Sequence, residues 1–156
     1  MISSFQISVP KKVVFGRGEA REKIGDIASY GRNLLVVHGS NRDRVSWLID
    51  ALQSTGITVV TTACDGEPDL ATVEAAVLRC RETGVDAVVA IGGGAAVDLG
   101  KAIAGLARAN GPVTDYLEVV GAGKPLDAAP LPFIALPTTS GTGAEVTRNA
   151  VIGIPE

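Results

Sequence analysis

The chain has one histidine, two cysteines and one methionine in 156 residues. With Cys64 and Cys80 at no metal-like spacing and His38 as the lone imidazole, a tetrahedral zinc site cannot be built without carboxylates or a partner. The cysteines read as reduced structural thiols, which fits a cytoplasmic protein. A basic excess is also missing: 14 Lys and Arg against 17 Asp and Glu leave a net charge of −3. No surface of that kind advertises nucleic acid or anionic membrane. No apolar run approaches the roughly 20 residues of a membrane span. Met1–Pro10 lacks the basic head and apolar stretch of a secretion signal. The Gly-x-Ser-x-Gly elbow of serine hydrolases and the Gly-Lys-Ser/Thr of a P-loop are both absent. Gly16-Arg-Gly-Glu-Ala-Arg21 and Gly141-Thr-Gly-Ala-Glu-Val146 begin like the dinucleotide fingerprint, yet neither has its closing small residue.

What is present is a globular composition, 46% hydrophobic and 20% charged, long enough for one domain with a core. Short apolar runs alternate with amphipathic stretches. Strands are expected at Lys12–Phe15, Leu34–His38, Ile57–Thr62, Ala87–Ile91 and Phe133–Leu136, with a further one from near Val146 toward Ile154. Helices are expected at Glu19–Tyr30, Asp43–Ser54, Asp69–Thr83 and about Ala96–Ala109, with Tyr116–Pro132 as loop. Continuous apolar strands alternating with helices predict an α/β fold: a Rossmann-like, doubly wound, mostly parallel sheet with helices on both faces. Residues 1–156 read as a single dinucleotide-binding domain. Val151-Ile-Gly-Ile-Pro-Glu156 carries no closing helix or polar tail, so more chain is expected to follow.

In a parallel sheet, ligands sit beyond the carboxyl ends of the strands. Four loops would open there: His38–Arg42, Asp65–Asp69, Gly92–Asp98 and Pro137–Thr147. In the third, a buried-strand run ends in three glycines and turns directly into a helix. Bare glycine backbone can take positive φ and lets an anion approach amide N–H groups closely, and the helix dipole points at the same spot. The expected guest is the pyrophosphate of a nucleotide cofactor. Thr138, Thr139, Ser140 and Thr142 crowd four hydroxyls onto a second glycine-rich turn, suited either to turn chemistry or to a ribose and an amide. Asp98 and Lys101, one helical turn apart, read as a surface pair. An acid pointed at a phosphate would repel it, so Asp98 is expected to cap loop amides or accept from a sugar hydroxyl. His38, at a strand end, reads as a structural residue rather than a general base.

Two of these blocks together resemble a known family. Gly92-Gly-Gly-Ala-Ala-Val-Asp98-Leu-Gly-Lys101 is similar to the Gly-Gly-Gly-Ser-x-x-Asp-x-x-Lys signature of the iron-containing (group III) alcohol dehydrogenases. Leu136-Pro-Thr-Thr-Ser-Gly-Thr-Gly-Ala-Glu-Val-Thr147 resembles their second signature, and Val14-Phe-Gly-Arg-Gly18 their usual opening. The resemblance implies the N-terminal, nucleotide-binding part of a two-domain oxidoreductase. The helical second domain would hold Fe²⁺ or Zn²⁺ through one Asp and three His, ligands outside this chain, and polarise the substrate oxygen. The partners implied are a nicotinamide dinucleotide and, in the full-length protein, a small alcohol or aldehyde, with this chain alone inactive. A homodimer is left open.

Position by position, the resemblance puts the amides of Gly93, Gly94 and Ala95 on the pyrophosphate, and Thr138, Thr139, Thr142 and Thr147 on the ribose and nicotinamide side, with Asn149 close by. It puts Gly39, Ser40, Asn41, Asp69 and Asp98 on the remaining cofactor contacts. Ala95 replaces the signature serine, removing a hydroxyl but not an amide. NAD-specific members tend to carry an aspartate where this chain has Gly39; without it, Ser40, Asn41 or Arg42 could donate to a 2′-phosphate, which favours NADP or dual use over NAD alone. The alternatives are a stand-alone nucleotide-binding module, or a relative of the glycerol dehydrogenases or maleylacetate reductases, whose second block looks different.

Overall fold

The computed structural model describes Ser4 and residues 9–154. Most of the Met1–Pro10 segment, and with it the reading of that segment, lies outside the described residues. Four strands, β1 Asn33–Gly39, β2 Thr58–Cys64, β3 Ala87–Gly92 and β4 Phe133–Pro137, form one sheet in the order β2-β1-β3-β4. All pairings are parallel, with Val36 opposite Thr61 and Val89, and Ala90 opposite Ala135.

Side chains alternate across the sheet, and the two central strands are apolar on both faces. Leu34 and Val36 of β1 and Ala87, Val89 and Ile91 of β3 pack against Ile27, Leu48, Ile49 and Leu52, from helices α2 (Ile24–Ala28) and α3 (Ser46–Ser54). Leu35, Val37, Val88 and Ala90 face the other way, onto α4 (Leu70–Thr83) and α5 (Gly94–Leu106). Each fully buried Leu or Val contributes about 1.5–3 kcal/mol. The fold is therefore anchored in β1 and β3, while β4 and most of β2 are only half-buried. This is the doubly wound α/β fold expected.

Local chemistry sets the helix ends. Asp69 caps α4 by accepting the Thr72 amide at 2.7 Å, and the apolar stripe Val73, Ala76, Val77 and Cys80 repeats at helical spacing. Before α3, Asn41 Oδ1 accepts from the Asp43 amide at 2.9 Å and opens a 3₁₀ turn, Arg42–Val45. The long helix expected at Glu19–Tyr30 is instead two short ones, α1 Glu19–Glu22 and α2, separated by Lys23. The Arg21 guanidinium lies 4.4 Å from the centre of the Trp47 ring, joining α1 to α3.

Two expected strands are absent. Lys12–Phe15 makes no ladder among the described residues, and Phe15 is 99% exposed. From Val146 to Ile154 only one isolated bridge forms, Asp69 with Gly153. Both runs have the apolar composition of strands, but composition alone does not provide a pairing partner.

At the amino ends of the strands, Asp86 Oδ2 accepts the amides of Arg32 at 2.7 Å and Asn33 at 3.0 Å. These backbone donors hold its carboxyl below the ordinary value of 3.8. A lowered folded-state pKa stabilises the fold above the unfolded value, and that contribution fades as pH falls through the folded one. Asp86→Ala should therefore melt below wild type at pH 7, and the gap should close as the pH is taken below about 4 in acid-melt series.

Candidate functional site

The strand order reverses between β1 and β3, so their carboxyl ends open a crevice. His38 and Gly39 end one wall; Ile91 and Gly92 end the other. The His38 ring donates from Nδ1–H to the Gly39 carbonyl at 2.6 Å, and the residue is buried. It shapes the corner locally, as the lone imidazole was expected to do.

The three glycines divide their work. Gly92 closes β3, where a Cβ would lie 2.7 Å from the Ala96 Cβ, and its carbonyl accepts the Thr138 amide at 2.8 Å. Gly93 caps α5 with no side chain, and Gly94 is the first helical residue. The helix thus starts two residues earlier than expected. None of the three has positive φ; Gly93 is extended at φ −74° and ψ −174°. The expected left-handed freedom is not what glycine supplies here. It supplies closeness: a Cβ on Gly93 would stand 3.4 Å from Thr139 Oγ1, and one on Gly94 3.4 Å from Cβ and Cγ2 of Thr142.

The helix ladder begins with the Val97 amide donating to Gly93 O at 3.1 Å. The amides of Gly94, Ala95 and Ala96 precede that bond, and no side chain caps them. They carry the positive end of a 13-residue helix. Facing them is the turn after β4, where Gly141 (φ 87°) and Gly143 (φ 70°) take the left-handed conformation, Thr139 and Thr142 stand beside Gly93 and Gly94, and the Thr138 amide is bonded to Gly92 O. These threonines are exposed. An uncapped helix start opposite a cluster of hydroxyls can hold an oxyanion and a polyhydroxyl group side by side.

The other named residues fall into two groups. Gly39, Ser40 and Asn41 line the β1 side, with nothing within 4 Å of a Cβ placed on Gly39. Ala95 is half-buried against the core, so the missing serine hydroxyl is replaced by packing. Asp69, Asp98 and Thr147, by contrast, are engaged within the protein. The Asp69 carboxylate caps α4, and the bond from Thr72 holds its pKa low. Asp98 pairs with Lys101 at 2.8 Å and accepts the Val151 amide at 3.3 Å. The pair is not on the surface, since the two side chains are 12% and 10% exposed. Thr147 Oγ1 accepts from Lys101 Nζ at 3.0 Å. Lys101 was the residue whose importance its spacing did not reveal. Cys64, at the end of β2, is a free thiol pushed up to about 11, by burial first and then by the carboxylates of Glu67, Asp65 and Asp98. It is no nucleophile.

Among the described residues no three His, Cys, Asp or Glu side chains converge on a metal position, and no helix is long and apolar enough to cross a membrane.

Parallel order, double winding and loops gathered at the switch point define a Rossmann-like α/β domain. The sequence matches the family model for iron-containing alcohol dehydrogenase over residues 10–156. It is 36% identical over 148 residues to the probable NADH-dependent butanol dehydrogenase 1 of Bacillus subtilis, covering 92% of this chain and 37% of that one. The solved structure of NADH-dependent butanol dehydrogenase A from Thermotoga maritima superposes with a TM-score of 0.84 at 31% identity, over 96% of this chain and 38% of that one. Sulfoacetaldehyde reductase from Bifidobacterium kashiwanohense, solved with NAD⁺, gives 0.76 at 33% identity, over 93% and 39%. This chain belongs to the iron-containing alcohol dehydrogenase family, and it spans about two fifths of the length of these relatives.

Proposed function

We propose that this chain is the dinucleotide-binding domain of an NAD(P)-dependent alcohol dehydrogenase. The observation that carries the reading is the uncapped start of α5 facing Thr139 and Thr142 across two glycines. The bound nicotinamide accepts or donates a hydride, with a small alcohol or aldehyde as the other party. The chain's own part is grip and orientation. The amides of Gly94, Ala95 and Ala96 take the pyrophosphate, while Thr138, Thr139 and Thr142 offer hydroxyls to the ribose and carboxamide beside it. The β1 corner takes the adenosine ribose. The iron implied by the family does not fit the described residues, among which no ligand set comes together.

Names of the relatives above carry NADH and NAD⁺. The β1 corner supports wider use. Gly39 brings no carboxylate to repel a 2′-phosphate, Ser40 is exposed, and Asn41 spends its Oδ1 on Asp43 while keeping its Nδ2 as a donor. Calorimetric titration with NADH and NADPH tests the whole reading. Both should bind, and failure of both would end it. Because a Cβ at Gly39 meets nothing, Gly39→Asp should leave the fold alone and shift preference toward NADH by roughly tenfold or more. An unchanged ratio would mean that this corner does not hold the ribose.

A further inference from the structure

We propose that the Asp98–Lys101 pair is the latch that holds residues 144–153 across the start of α5, and so sets where the threonine turn stands against the glycines. The inference rests on the dinucleotide reading above.

The segment leaves the threonine turn at Ala144, which is buried. It reaches the start of α4 at Gly153, where the Gly153 amide donates to Pro68 O and the Leu70 amide to Gly153 O. Between these anchors it forms no helix or strand. Its remaining backbone bonds are the amides of Val146 and Thr147 donating to Gly143 O. The span 147–151 hangs on two side chains of α5. Lys101 Nζ donates to Thr147 Oγ1 at 3.0 Å and to Asn149 O at 2.5 Å. With Asp98 Oδ1 at 2.8 Å, all three ammonium hydrogens are used. Asp98 Oδ2 takes the Val151 amide.

A nearly buried ion pair carries a desolvation cost, and it is worth that cost when each charge also satisfies further hydrogen-bonding groups. Here each does, and every one of those groups lies on the same strap. Both carboxylate oxygens of Asp98 are thereby engaged by the protein itself. Asp98 is accordingly a positioning residue, acting on the dinucleotide through the strap and the turn at its head.

Lys101→Met in the full chain removes the bonds from α5 to Thr147 and Asn149 and leaves the strap on the single Asp98–Val151 bond. If it fails to fold because it strands the Asp98 charge, Asp98→Asn/Lys101→Met removes both charges at similar volume. Amide hydrogen exchange should speed up at Val151 and Gly153. Affinity for the full dinucleotide should fall roughly tenfold, the scale of lost charge-assisted hydrogen bonds. Affinity for ADP should stay as in wild type, because ADP lacks the nicotinamide half that the turn faces. Unchanged exchange at Val151 overturns the latch. Faster exchange with equal losses for ADP and dinucleotide overturns the positioning role and leaves general loosening. A wild-type chain that binds neither dinucleotide overturns the functional reading and the positioning role with it, while the exchange data still report on the strap.

Discussion

Gly94→Val is expected to abolish dinucleotide binding while leaving the fold in place. A Cβ at this position meets Cβ and Cγ2 of Thr142 at 3.4 Å, a distance a neighbour can absorb by yielding a few tenths of an ångström. Two further methyls cannot be absorbed in the same way. They fill the gap between α5 and the threonine turn and cover the amides of Ala95 and Ala96. The backbone at position 94 is ordinary helix without positive φ, so valine brings no strain of its own. Losing two or more amide contacts to a pyrophosphate should reduce affinity on the order of 100-fold or more. Calorimetry measures that loss, and circular dichroism shows whether the fold is kept. Wild-type affinity in the variant would place the phosphates elsewhere.

Gly100→Val should have the largest effect on stability. A Cβ there would lie 2.8 Å from the Ala90 Cβ and 2.8 Å from Phe133 Cε2. Ala90 is fully buried on the central strand and cannot retreat. A mid-helix glycine forgoes about 1 kcal/mol relative to alanine, so its presence at the α5–sheet contact reflects packing rather than helix preference. Overpacking a tight core costs about 1–3 kcal/mol, and the branched methyls put valine at the upper end. For a chain of this size that is a melting point lower by roughly 5–10 °C. Since α5 carries the amides at its other end, dinucleotide affinity should fall too. A melting point within about 2 °C of wild type would show that α5 does not ride on β3 as closely as described.

Much of this was legible beforehand because burial writes itself into the sequence. Leu34–His38 and Ala87–Ile91 are apolar at every position or nearly so, and only a strand covered on both faces tolerates that. The amphipathic stripe of α4 and its Asp69 start were equally plain. The motif glycines were legible as a site but not in their reason. From the sequence they suggested φ freedom; in the fold they make room for Ala96, Thr139 and Thr142. That distinction depends on what β4 brings opposite them, more than 40 residues later in the chain. The two missing strands failed for a related cause, since a strand needs an edge to pair with and local composition does not report one. The Asp98–Lys101 pair was legible from its spacing, but what Lys101 holds was hidden, because its partners at 147 and 149 are irregular backbone and a threonine. Spacing along a helix reveals the pair and nothing of the strap beyond it.

The central claim is that the backbone at the start of α5 receives the diphosphate. Titrating ¹⁵N-labelled protein with NADH and following amide shifts tests it residue by residue. The account requires the largest changes at Gly93–Ala96, with smaller ones at Thr138–Thr142 and Gly39–Asn41. Changes centred instead at the opposite end of the sheet, in the groove formed by Arg81, Val85, Arg108 and Leu131, would contradict it.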